Sequence, residues 1–208
     1  MTTTVRAWRV ATPVAMLIAI ASLVADGVRH GDFVLWNFFG YFTIQSNIIG
    51  IVALAVALRF TGRERPTWVE WLRVSAATYM VIVVVVFWWL LYPTMSGGPS
   101  WEDLVLHLAS GVILVADWLL EGPRPRLALR HLGVCMIYPA VWLAVVLVRG
   151  ATDGWVPYFF LDPENGYASV GVMIVIIVGA GLGICAALTR MTSWRVVPTS
   201  HDARETVG

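Results

Sequence analysis

From about residue 8 to residue 189 the chain is a succession of six long apolar runs joined by short polar segments. A run of about 20 apolar residues, wound as an α-helix, spans roughly 30 Å, the thickness of a bilayer's hydrocarbon core. Within that core every backbone N–H and C=O must be paired inside the chain, so such runs are helical. The pattern predicts an all-α, polytopic transmembrane six-helix bundle, with spans at about 8–25, 33–58, 74–92, 102–120, 132–148 and 168–189. With 59% hydrophobic and 13% charged residues, the composition excludes an ordinary soluble domain. The first run is long for the apolar part of a signal peptide and reads as a retained span. Residues 195–208 read as a polar, disordered cytoplasmic tail.

The arginines test this count. There is no Lys, and all 14 cationic side chains are Arg. Arg6, Arg9, Arg59, Arg63, Arg65, Arg73, Arg124, Arg126, Arg130, Arg190, Arg195 and Arg204 fall on one side of a six-span arrangement, against Arg29 and Arg149 on the other. Such a bias predicts both termini in the cytoplasm, as in the inner (cytoplasmic) membrane of a bacterium. Because the arginines are dispersed over short loops, they form no nucleic-acid-binding patch. Membrane lipids are the expected partners.

Within the second run, Thr43, Gln45, Ser46 and Asn47 lie where no water is at hand to bond them. Thr43 and Asn47 are four apart and share a helix face, with Gly40 beside it. In the fourth run, Asp103 and His107 are likewise four apart, and Ser110 follows three residues on. Thr43 is seven residues past Trp36 and His107 six past Trp101, so both lie about 9–10 Å below the same interface. A pocket between the second and fourth spans is one reading; interhelical hydrogen bonding is the other. In the first, Thr43 is a nucleophile, His107 its base, Asp103 orients the imidazole, and Asn47 or Ser46 donates to an oxyanion.

Aromatic residues collect near the same interface. Trp88, Trp89 and Tyr92 end the third run, and Trp155 and Tyr158 lie in the long fifth loop. They read as interface anchors, or as the mouth and lid of the pocket. Asp117 is too far along the fourth run to reach His107 and reads as structural, reaching headgroups or capping a neighbouring helix. Pro139 is expected to kink the fifth span. Gly179 and Gly183 form a GxxxG pair that reads as tight packing within the bundle, with dimerisation second.

Several function classes lack their residues. There is no G-x-S-x-G, no H-E-x-x-H and no phosphate-binding glycine loop. Cys135 and Cys185 belong to no ligand cluster and read as small buried side chains, so neither metal nor cofactor is expected. His107 and His131 sit at opposite depths, which argues against one haem between them. No internal repeat points to an inverted-repeat transporter.

YFTIQSN at 41–47, FWWLLYP at 87–93, LHLASGVILVADWLL at 106–120 and GWVPYFFLDP at 154–163 resemble the bacterial "proposed six-pass" membrane proteins. That family is similar to the eukaryotic androgen-induced multi-pass hydrolases of fatty-acid esters of hydroxy fatty acids. The resemblance implies an intramembrane lipid-ester hydrolase with an acyl-ester substrate, in which Thr43 and His107 carry the hydrolysis. Asp117 stands where those enzymes have a glutamate, whereas WEDLVL before His107 departs from the eukaryotic pattern. A non-enzymatic lipid-binding or transport-related protein is the alternative.

Overall fold

The computed structural model describes residues 2–122 and 127–191, so the tail and Arg124, Arg126, Arg195 and Arg204 lie outside the described residues. Among those described there is no strand, and six helices are long and apolar enough to cross a membrane. The first crossing is α1 (Thr2–His30), ended by Gly31, whose φ of 78° lets its amide turn back to Gly27 O. The second is broken, with α2 (Leu35–Phe38) and α3 (Phe42–Arg59) separated at Gly40 and Tyr41. The third comprises α4 (Thr67–Val86), a π-helical turn at Phe87–Leu91 and a 3-10 turn at Tyr92–Thr94. The Val-rich run from 81 to 86 is helical despite its branched side chains, because internal backbone pairing outweighs propensity in lipid.

The fourth crossing begins with a capping box, in which Ser100 Oγ accepts from Asp103 N and Asp103 Oδ2 accepts from Ser100 N. It continues through α5 (Trp101–Leu104), a π-helical turn at Val105–Ala109 and α6 (Ser110–Leu120). The fifth runs through a 3-10 stretch, Leu129–Met136, into α7 (Ile137–Thr152), and the sixth is α8 (Tyr167–Arg190). Six crossings bring the start of α1 and the end of α8 to the same end of the bundle, here called lower; the upper end carries residues 153–166.

α4 is the central post and packs on α3, α6 and α8. Around it Phe42, Tyr79, Tyr138 and Trp142 form an aromatic cluster with ring centroids 5.1–6.1 Å apart. Cys135 and Cys185 are free and buried, as their position in apolar runs implies. Pro139 sits in the first turn of α7, directly after the 3-10 stretch, and the Cys135 carbonyl four residues before it accepts from Tyr79 Oη. One expectation is corrected. Gly179 and Gly183 face outward with nothing within 4 Å of an added Cβ, and close packing uses Gly181 against Ile82 and Met136 instead.

Candidate active site

Thr43 is the second residue of α3, placed there by the break at Gly40 and Tyr41. It lines an almost wholly apolar cavity of about 80 Å³. The other walls come from α4 and its π turn (Ile82, Val83, Val86, Phe87, Leu91), from Met136 and α7 (Pro139, Trp142, Leu143), and from α8 (Ile174, Ile177, Val178). Tyr158, Phe160 and Leu161, buried residues of the fifth loop, complete it and roof it over. Tyr158 Oη accepts a long hydrogen bond, 3.4 Å, from the Thr43 amide. Burial pushes the Tyr158 hydroxyl up to about 12, against the opposing effect of its hydrogen bonds with Thr43.

The cavity is not between the second and fourth crossings. His107 does not line it; its ring stacks on Phe87, which does, with centroids 3.7 Å apart and planes 13° from parallel. Among the described residues no hydrogen bond joins the Thr43 hydroxyl to the His107 ring. The backbones of the two are nevertheless joined. Asn47 Nδ2 donates to Thr43 O at 2.8 Å and to Leu106 O at 3.1 Å, tying the backbone of Thr43 to the residue before His107. Sequence spacing expected one pocket shared by Thr43 and His107, whereas Phe87 lies against the imidazole and it is Phe87 that lines the cavity with Thr43.

Phe87 and His107 each lie in a π-helical turn, at facing positions of neighbouring crossings. One extra residue per turn swings the side chains that follow to a new bearing, which is why such turns gather at functional sites. Trp88 Nε1 donates to His107 O at 3.1 Å, satisfying a carbonyl at the irregular turn. His107 Nδ1 lies 3.4 Å from Asp103 Oδ1 but is buried without a well-formed hydrogen bond. Asp103 is thus first a capping residue and second a neighbour of the imidazole.

The remaining predicted residues divide clearly. Asn47 has its amide hydrogens engaged by carbonyls and its Oδ1 buried without a partner, which makes it a strut and leaves it no donor for an oxyanion. The Ser46 hydroxyl is buried without a partner, while Ser110 Oγ bonds back to Leu106 O. Trp88 and Tyr92 pack around Phe87. Trp89 is 78% exposed and belongs to the outer surface. Trp155 takes the Arg149 guanidinium on its face and closes against Gly40. Of the five aromatics expected at the mouth or lid, only Tyr158 lines the cavity.

A second polar cluster lies at the lower end, and Asp117 belongs to it. Asp117 accepts from Arg9 Nε (2.6 Å), Trp8 Nε1 (2.9 Å) and Arg73 Nη2 (2.8 Å). Glu70 accepts from Arg65 Nε and Arg73 Nη1, both at 2.7 Å, and Glu121 from Arg65 Nη1 at 3.0 Å. Three guanidiniums and three carboxylates, all with side chains at most 3% exposed, therefore form one neutral network. It ties α1, α4, α6 and the loop before α4 together. Asp117 neither reaches headgroups nor caps a helix. The signal was the i,i+3 pair Glu70–Arg73 facing the i,i+4 pair Asp117–Glu121 at matching ends of apolar runs.

Fold and site define a six-span helical membrane protein with a hydroxyl-bearing apolar cavity near one end and a buried ion network at the other. The chain matches no family model, no curated protein and no solved structure.

Proposed function

We propose that the protein binds the acyl chain of a membrane lipid in the cavity, with the lipid's polar linkage at Thr43 and Tyr158. The observation that carries this reading is the lining, which is hydrocarbon and aromatic except for a threonine and a tyrosine hydroxyl at its upper end. The protein would reside in the cytoplasmic membrane of a bacterium with both termini inside; the arginine bias supports that orientation. Mass spectrometry of protein extracted in mild detergent should find a stoichiometric lipid or fatty acid. Phe160→Trp, which fills the cavity, should lose it, and an empty wild-type protein would overturn the reading.

A second reading, intramembrane lipid-ester hydrolysis, is favoured by the stack of His107 on a phenylalanine that shares the cavity wall with Thr43. It also has the family resemblance behind it. Rotation of Phe87 would open the imidazole to the cavity. Thr43 Oγ would then attack the ester carbonyl while His107 takes its proton and returns it to the departing alcohol. Water, deprotonated by the same imidazole, would release the fatty acid from the acyl-threonine. The first-turn amides of α3, among them the Thr43 N–H released when Tyr158 moves, would donate to the oxyanion. Fatty-acid release from an acyl-ester panel, and labelling by a fluorophosphonate, should both vanish in Thr43→Ala and in His107→Ala, and lipid binding should persist in His107→Ala, whose side chain does not line the cavity. Activity that survives Thr43→Ala would reject this chemistry.

A further inference from the structure

We infer that the lipid chain enters the cavity sideways from the bilayer, between α7 and α8, with α7 as the moving wall. This rests on the acyl-chain reading above and narrows the ligand to a bilayer-resident lipid, as opposed to an ester arriving from water.

The two helices are unequally held. α8 packs along α4, on the 3-10 stretch Leu129–Met136 and under the 3-10 turns of the fifth loop, whereas α7 has no comparable packing against it. α7 is held on its opposite flank by long side chains. Tyr138 Oη donates to Gln45 Oε1 (3.1 Å), Trp142 Nε1 to Gly40 O (2.9 Å), and Arg149 Nη2 to Asn37 Oδ1 (2.8 Å). Below it Leu129–Met136 is eight residues of 3-10 helix, a geometry that seldom persists beyond three or four and that would serve as the hinge of such a motion.

The wall between the helices is thin. Leu143 of α7 and Val178 of α8 line the cavity, yet both are partly open to the outside, Val178 at 37%. Val178 lies eleven residues along α8 from Tyr167, about 16 Å down the helix and near mid-membrane. At that depth the surroundings are hydrocarbon, so what meets the gap is a lipid tail. On the side of the fifth loop the cavity is lined by Tyr158, Phe160 and Leu161, all buried.

The test places cysteines at Leu143→Cys and Val178→Cys and joins them with a cleavable bis-maleimide; Cys135 and Cys185 are buried and out of the reagent's reach. Loading of a diazirine-bearing fatty-acid ester from vesicles is followed by photo-crosslinking and peptide mapping. The tether should slow loading by at least about tenfold, as expected when a gating motion is blocked, and its cleavage should restore the rate. Unchanged loading in the tethered protein, with adducts still mapping to the cavity, would overturn lateral entry and leave acyl-chain binding standing. No cavity adducts in the untethered protein would overturn both.

Discussion

Gly40 shows how much one missing Cβ can decide. An added methyl there would lie 2.5 Å from Trp155 Cη2 and 2.8 Å from the carbonyl of Trp36, one of them backbone that cannot yield. Gly40→Ala should cost about 1–3 kcal/mol, the usual scale of overpacking, and lower the thermal midpoint in detergent. Gly179→Ala, which meets nothing within 4 Å, should leave that midpoint unmoved. Tyr158 gives a pH dependence. Its hydroxyl ionises at about 12 when folded, against about 10 in an unfolded chain, so the native state holds the proton more tightly. Its contribution is complete below about pH 10 and is lost as pH rises toward about 12. The midpoint difference between wild type and Tyr158→Phe should therefore shrink across that interval; a difference that grew would contradict the burial. Thr43 was legible from sequence as a hydroxyl stranded in an apolar run. The partner on its cavity wall was not, because Phe87 looks like any other apolar residue until its ring is seen against His107.

At the scale of elements, the six crossings were legible because apolar length is a one-dimensional property. Their ends were less so, since the amphipathic turns holding Thr2, Thr67 and Thr152 remain helical beyond the apolar stretch. Hydrogen-bond register was invisible, because FWWLL reads the same in an α- or a π-helical turn. The break before Phe42 had a signal in Gly40, where Trp155 also approaches closely. The paired π turns yield a prediction. Trp88→Phe removes the N–H that satisfies His107 O and should cost about 1 kcal/mol, with faster amide exchange confined to residues 105–111. Unchanged exchange there would mean that the turn is set by sequence alone.

The whole molecule is joined at its lower end by charge. Sequence analysis took Arg9, Arg65 and Arg73 as marks of orientation and missed their carboxylate partners, of which Glu70 is local while Asp117 and Glu121 come from a segment far along the chain. Asp117→Asn keeps the shape but leaves Arg9 without its carboxylate and Arg73 with Glu70 alone, and should cost about 3–5 kcal/mol. Adding Arg9→Met restores neutrality, so the double variant should be more stable than the two single losses sum to, measured as thermal midpoints in a double-mutant cycle. Strict additivity would deny that the six charges act together. The order of synthesis gives this network another meaning. Arg9 is made 108 residues before Asp117, and Arg73 precedes it by 44. While the early segments leave the ribosome these cations are therefore without that anion, and in the proposed orientation they would then resist translocation. Once the fourth segment has been delivered they are folded away, so the side chains that would steer insertion afterwards lock the assembled protein.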